Sequence, residues 1–113
     1  MTHPVPSFDP LADLRPTYAE RLRARIAALS EFLHDARKGN LDDPELSESH
    51  RCVHSMISSA AIFGHPELSR AARAAEQAFE QRSDIGTQPL INRIETLLAT
   101  ANGVLDIYEK PND

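Results

Sequence analysis

Tryptophan is absent from the 113 residues, cysteine occurs once and glycine only four times. A single thiol, Cys52, closes no disulfide within one chain and builds no Cys-based zinc site, which fits a reducing compartment. Aromatics make up 5% of the chain and alternating β-branched runs are missing, so a strand framework has little to grow from. No apolar stretch approaches the roughly 20 residues that cross a bilayer. The opening MTHPVPSFDP has neither the basic n-region nor the apolar h-region of a secretory signal. The expectation is a cytoplasmic protein. Positive charge is short as well: twelve Lys+Arg against seventeen Asp+Glu leave a formal charge of −5. That balance repels phosphate backbones and anionic lipid, and argues against nucleic-acid or membrane-surface binding.

What is present is helical material. Ala, Leu, Arg and Glu recur, and 41% apolar with 26% charged residues suffices for one core, so residues 1–113 are expected to form a single domain. Four of the eight prolines fall in the first sixteen residues, predicting an arm over 1–16 with at most one helical turn around Leu11 to Leu14. Tyr18, Leu22, Ile26, Leu29 and Leu33 follow at helical spacing until Gly39-Asn40, predicting a helix over 17–38. Asp43 and Pro44 read as N-cap and first residue of a second helix over 44–63, with Val53, Met56, Ile57 and Ala60 on its apolar side. His65-Pro66 restarts the chain as a helix whose buried side is Leu68, Ala72, Ala75 and Phe79, broken at Ser83 to Gly86. Thr87 is a candidate cap for a fourth, through Leu90, Ile94, Leu97, Ala101 and Leu105, ended by Pro111. The fold class is therefore all-α, an antiparallel four-helix bundle with a short N-terminal helix or arm.

Of five histidines only His50 and His54 share a helix at i, i+4. At roughly 100° per residue, His54 falls about 120° from the centre of its helix's apolar side, with only Ser47, Ser58 and Ala61 on its own stripe. It should stand open to a partner. A neutral imidazole is a competent nucleophile near pH 7, since one ring nitrogen attacks while the other keeps its proton. A metal reading takes His50, His54 and Glu48, but the spacing alone is weak and Arg51-Cys52 stand where an HExxH motif would need other residues. No metal site and no bound cofactor are expected. Cys52 reads as a small hydrophobe. No Ser-His-Asp order, Gly-rich phosphate loop or dinucleotide fingerprint occurs, which argues against an autonomous kinase, hydrolase or oxidoreductase.

The run His54-Ser55-Met56-Ile57-Ser58-Ser59-Ala60-Ala61-Ile62-Phe63-Gly64, continued by Leu68, Ala72, Ala75 and Glu76, resembles a histidine-containing phosphotransfer (HPt) domain. That family's core has a His, a Lys three positions on, a Gly at four, an aromatic-Gly pair at nine and ten, then an Ala-rich helix ending in an apolar-Glu pair. His54, Phe63-Gly64 and Ala75-Glu76 fall in register. Ile57 stands where the family has Lys, and Ser58 where it has Gly. The resemblance implies a phosphocarrier in which His54 receives a phosphoryl group from one receiver-domain aspartate and passes it to another. Mg²⁺ would come from the receiver. It further implies response-regulator receiver domains and a histidine or hybrid kinase as partners, and a monomer. Ser58 would donate to a phosphoryl oxygen or bond its own backbone. Glu76 would orient the imidazole or remain an exposed helix charge. Arg51, Arg70 and Arg73 would supply the missing cation as a positive patch, or stay solvated. The alternative is a degenerate bundle that docks signalling partners, through Ile57, Ala61 and Ile62, without carrying phosphate.

Overall fold

A proline stands in the first turn of every long helix, and a glycine with positive φ follows three of the four. Proline lacks the N–H that a first turn leaves unbonded anyway, and glycine enters the left-handed region that closes a helix, so this punctuation sets the element boundaries. The computed structural model describes residues 10–110. A 3₁₀ turn at Ala12–Leu14 leads into α1 (Arg15–Arg37), followed by α2 (Asp43–Ile62), α3 (Pro66–Ile85) and α4 (Gln88–Glu109). No strand occurs among the described residues.

The single turn expected within the arm is there, but α1 begins two residues earlier than its periodicity predicted, taking Pro16 into its first turn. Residues 1–9 of the arm and Pro111 lie outside the described residues. The cap of α2 is Asp42 rather than Asp43: its Oδ1 accepts from the Glu45 N–H at 2.8 Å, which puts Pro44 in the first turn one position later than read from sequence. Thr87 occupies the N-cap position of α4 without a side-chain bond to that helix.

The helices run alternately up and down, with α2 closely packed on α3, α3 on α4, and α4 on α1, while α1 and α2 meet less extensively. Ala60, Ala72 and Ala75 are fully buried, and such small side chains bring helix backbones close. Phe32, Leu22, Leu29, Leu90, Ile94 and Leu97 fill the wider remainder. Most residues of the predicted apolar faces are buried, Ile26, Ile57 and Phe79 being only partly so, and the faces are widened by flanking positions such as Phe32, Ile91 and Leu98 that lie beside the main stripe. No polar or charged residue among those described is buried.

One electrostatic cost sits at the far end of α2. Glu45 faces Asp35 of α1, and the proton shared between the two carboxyls, with Asp42 and Glu31 nearby, lifts Glu45 to about 7 from an ordinary 4.5. A carboxyl that holds its proton more tightly when folded favours folding at low pH, and that contribution is lost as pH rises from about 4.5 to 7. Glu45→Gln keeps a hydrogen-bond donor and removes the charge. It should melt at a higher temperature than wild type at pH 8 and at the same temperature at pH 4, as followed by circular dichroism across pH.

Candidate functional site

The link between α2 and α3 fixes the register of everything that follows. The Gly64 N–H donates to the Ala61 carbonyl at 3.2 Å and the His65 N–H to the Ala60 carbonyl at 2.8 Å, with Gly64 at φ +82°. This is the paired-bond helix ending that only a residue tolerant of positive φ closes without strain. Tyr18 seats the turn on the bundle: its ring stacks on Phe63 at 4.3 Å and on His65 at 5.9 Å, and the His65 Nε2 bonds the Tyr108 hydroxyl at 2.7 Å. Burial pushes the Tyr18 hydroxyl up to about 12 and His65 down from its ordinary value.

Because both helices advance about 1.5 Å per residue, an antiparallel pair folded at His65 brings residues equidistant from it to the same level. His54 and Glu76 are such a pair, and so are His50 and Glu80. His54 Nδ1 is hydrogen-bonded to Glu76 Oε2, and His50 Nε2 lies 3.8 Å from the same oxygen. The His54 side chain is 72% exposed while that of Glu76 is 17% exposed. A carboxylate only accepts, so the neutral ring carries its proton on Nδ1 and its lone pair on Nε2. One nitrogen is held by the fold and the other presented to solvent.

The serine and the three arginines singled out by sequence have different fates. Val53 and Met56, flanking His54, are buried and hold its helix on the core. Ser58 is exposed one turn beyond His54 and makes no hydrogen bond among the described residues; neighbouring Ser55 and Ser59 bond back to the carbonyls of Cys52 and Ser55. Arg51 lines a shallow depression with Ser47, His50, His54, Glu76 and Glu80. Arg70 and Arg73 are exposed on α3 and do not line it, so the structure does not gather the three arginines around His54. Ile57 is half-buried against the core, with Ala61 exposed and Ile62 61% exposed beside it. Cys52 is half-buried, and burial pushes its thiol up, in keeping with an inert side chain.

Glu48, the acidic partner read with His50 and His54, instead faces α1 beside Glu31, Phe32 and Cys52. Sequence reasoning missed Glu80 and the stacking of His50 on Phe79, whose rings lie 5.2 Å apart and 2° from parallel. The signal was available: His50 and His54 at i, i+4 on one helix, Glu76 and Glu80 at i, i+4 on the next, both symmetric about the turn.

A family model described as Hpt domain matches residues 13–103. The chain belongs to the Hpt domain family. No curated protein and no solved structure matches it. As an Hpt domain it falls among the histidine phosphotransfer modules of two-component phosphorelays, helical bundles that work with receiver domains and kinases. The match takes in α1, α2, α3 and most of α4, and with them His54, Ser58, Glu76 and the three arginines. None of the described helices is long and apolar enough to cross a membrane.

Proposed function

We propose that His54 is the phosphoacceptor of this Hpt domain and relays a phosphoryl group between the aspartates of two receiver domains. The observation that supports it is the half-buried Glu76 carboxylate on Nδ1, which leaves the exposed Nε2 as the nucleophile. In the forward step a bond forms between Nε2 and phosphorus, the phosphorus–oxygen bond to the receiver aspartate breaks, and the aspartate leaves as its carboxylate. The Nδ1 proton stays on the ring, where Glu76 stabilises the positive charge that develops on the imidazole. The second transfer reverses these bonds on another receiver. Mg²⁺ and most of the charge stabilisation on the phosphoryl oxygens come from the receiver. The bundle has no ATP chemistry of its own and serves as carrier. Where the family has a Lys this chain has Ile57, and Arg73 of α3 is level with Ile57 in the hairpin register. Arg51, which lines the depression beside His54, is the cation we assign to the transferring group, and the exposed Ser58 hydroxyl is a donor for one of its oxygens.

The direct test incubates the protein with a Mg²⁺-bound phosphorylated receiver domain and follows acid-labile phosphate by intact mass. One phosphoryl group per chain supports the relay. Binding to the receiver without any gain of phosphate overturns it in favour of a docking module. Glu76 sets a second expectation. A hydrogen bond to a charged group contributes about 1.5–3 kcal/mol, less where solvent reaches it. Glu76→Gln should therefore slow transfer roughly tenfold in single-turnover measurements, without loss of receiver binding. An unchanged rate would make Glu76 an ordinary helix charge.

A further inference from the structure

The depression beside His54 contains more ligating chemistry than phosphotransfer uses. His50, Glu76 and Glu80 each offer one donor atom, and these atoms all lie within 4.8 Å of one another. His50 Nε2 is 3.8 Å from Glu76 Oε2. Ligands of a tetrahedral zinc ion, bound at about 2.0–2.2 Å, stand roughly 3.4 Å apart, so small side-chain rotations close the triad. The imidazole is already oriented, because its ring lies flat on Phe79, whose own ring packs on the buried Phe32 at 5.4 Å. Neither Glu76 nor Glu80 pairs with a lysine or arginine among the described residues. Two carboxylates thus converge on one ring nitrogen, and Arg51, which lines the same depression, forms no ion pair with either carboxylate among the described residues.

We propose that His50, Glu76 and Glu80 bind one divalent transition-metal ion of the zinc class across α2 and α3, revising the sequence expectation of no metal site. The donor set selects the ion. Imidazole with two carboxylates suits zinc, copper or nickel, whereas Mg²⁺ prefers six oxygens in octahedral geometry and takes imidazole poorly. The fourth position is open to water. Glu76 also holds His54, so the ion and the His54 ring compete for one carboxylate. Replacing the His54 imidazole by a neutral amide should leave Glu76 no less available to the ion.

The experiment is calorimetric titration of the full chain with Zn²⁺ in excess Mg²⁺, using wild type, His50→Gln, Glu80→Gln and His54→Gln. Substitutions beyond the coordinating residues of metal sites already cost tenfold to a hundredfold in affinity, so loss of a ligand should cost at least about tenfold. We expect one Zn²⁺ per wild-type chain, at least tenfold weaker binding in His50→Gln and Glu80→Gln, and His54→Gln binding no more weakly than wild type. All three positions are exposed or half-exposed, and circular dichroism of each variant checks that the bundle is intact. Failure of wild type to bind, or binding undiminished in His50→Gln and Glu80→Gln, overturns the proposal. So does loss of binding in His54→Gln, which would move the site to His54. Phosphate is absent throughout, so the outcome is independent of the relay.

Discussion

Substitution of His54 by Gln is expected to abolish phosphate uptake from a phosphorylated receiver while leaving the bundle folded. Glutamine keeps an amide able to bond Glu76 but offers no ring nitrogen with a free lone pair, so the nucleophile is removed and little else. The side chain is 72% exposed, and substitutions at such sites change stability by about 0.5 kcal/mol or less. The other described histidines are poorly placed to substitute. His65 is stacked on Tyr18 and bonded to Tyr108, and His50 lies on Phe79 with its Nε2 turned to Glu76. His34 is exposed on α1, with no carboxylate holding its ring among the described residues. Intact mass after incubation should show one phosphoryl group on wild type and none on His54→Gln. Phosphate remaining on the variant would place the acceptor elsewhere and remove the central claim about this site.

The parts legible in the sequence are those dictated by local periodicity. Four apolar stripes at helical spacing, each bounded by proline or glycine, give four helices and leave a bundle as the one way to bury them. His54 is legible for the complementary reason: its angle from the apolar stripe of α2 is enough to mark it as exposed. Relations between helices are harder to read. Whether Glu76 reaches His54 depends on the register of α2 against α3, which the turn bonds at Gly64 and His65 set. Counting outward from that turn recovers both the pair of His54 with Glu76 and that of His50 with Glu80. The arginines show the limit of the same logic, since a long side chain on a known helix face has a reach of several ångströms in any direction. Arg51 sits in the depression, while Arg70 and Arg73 stand outside it.

Phe32→Ala tests how the site is supported. Phe32 is 1% exposed and packs its ring against Phe79, on which His50 lies. Truncating a buried phenylalanine removes its burial energy and leaves a cavity, together costing about 3–5 kcal/mol. Small domains are stable by only about 5–15 kcal/mol in total, so this single change removes about a fifth or more of what holds such a domain together. The melting temperature should fall by more than about 10 °C, and the urea midpoint should drop with an unchanged slope if the native state stays compact. Transfer should respond differently. His54 is oriented by Glu76 from α3, whereas Phe32 belongs to α1, and the buried Ala60, Ala72 and Ala75 of α2 and α3 are untouched by its truncation. At a temperature where the variant is fully folded, its phosphotransfer rate should match wild type. A stability loss below about 1 kcal/mol would mean that Phe32 is not packed as described. A slowed rate in the folded variant would mean that the ring stack from Phe32 through Phe79 to His50 also positions the nucleophile.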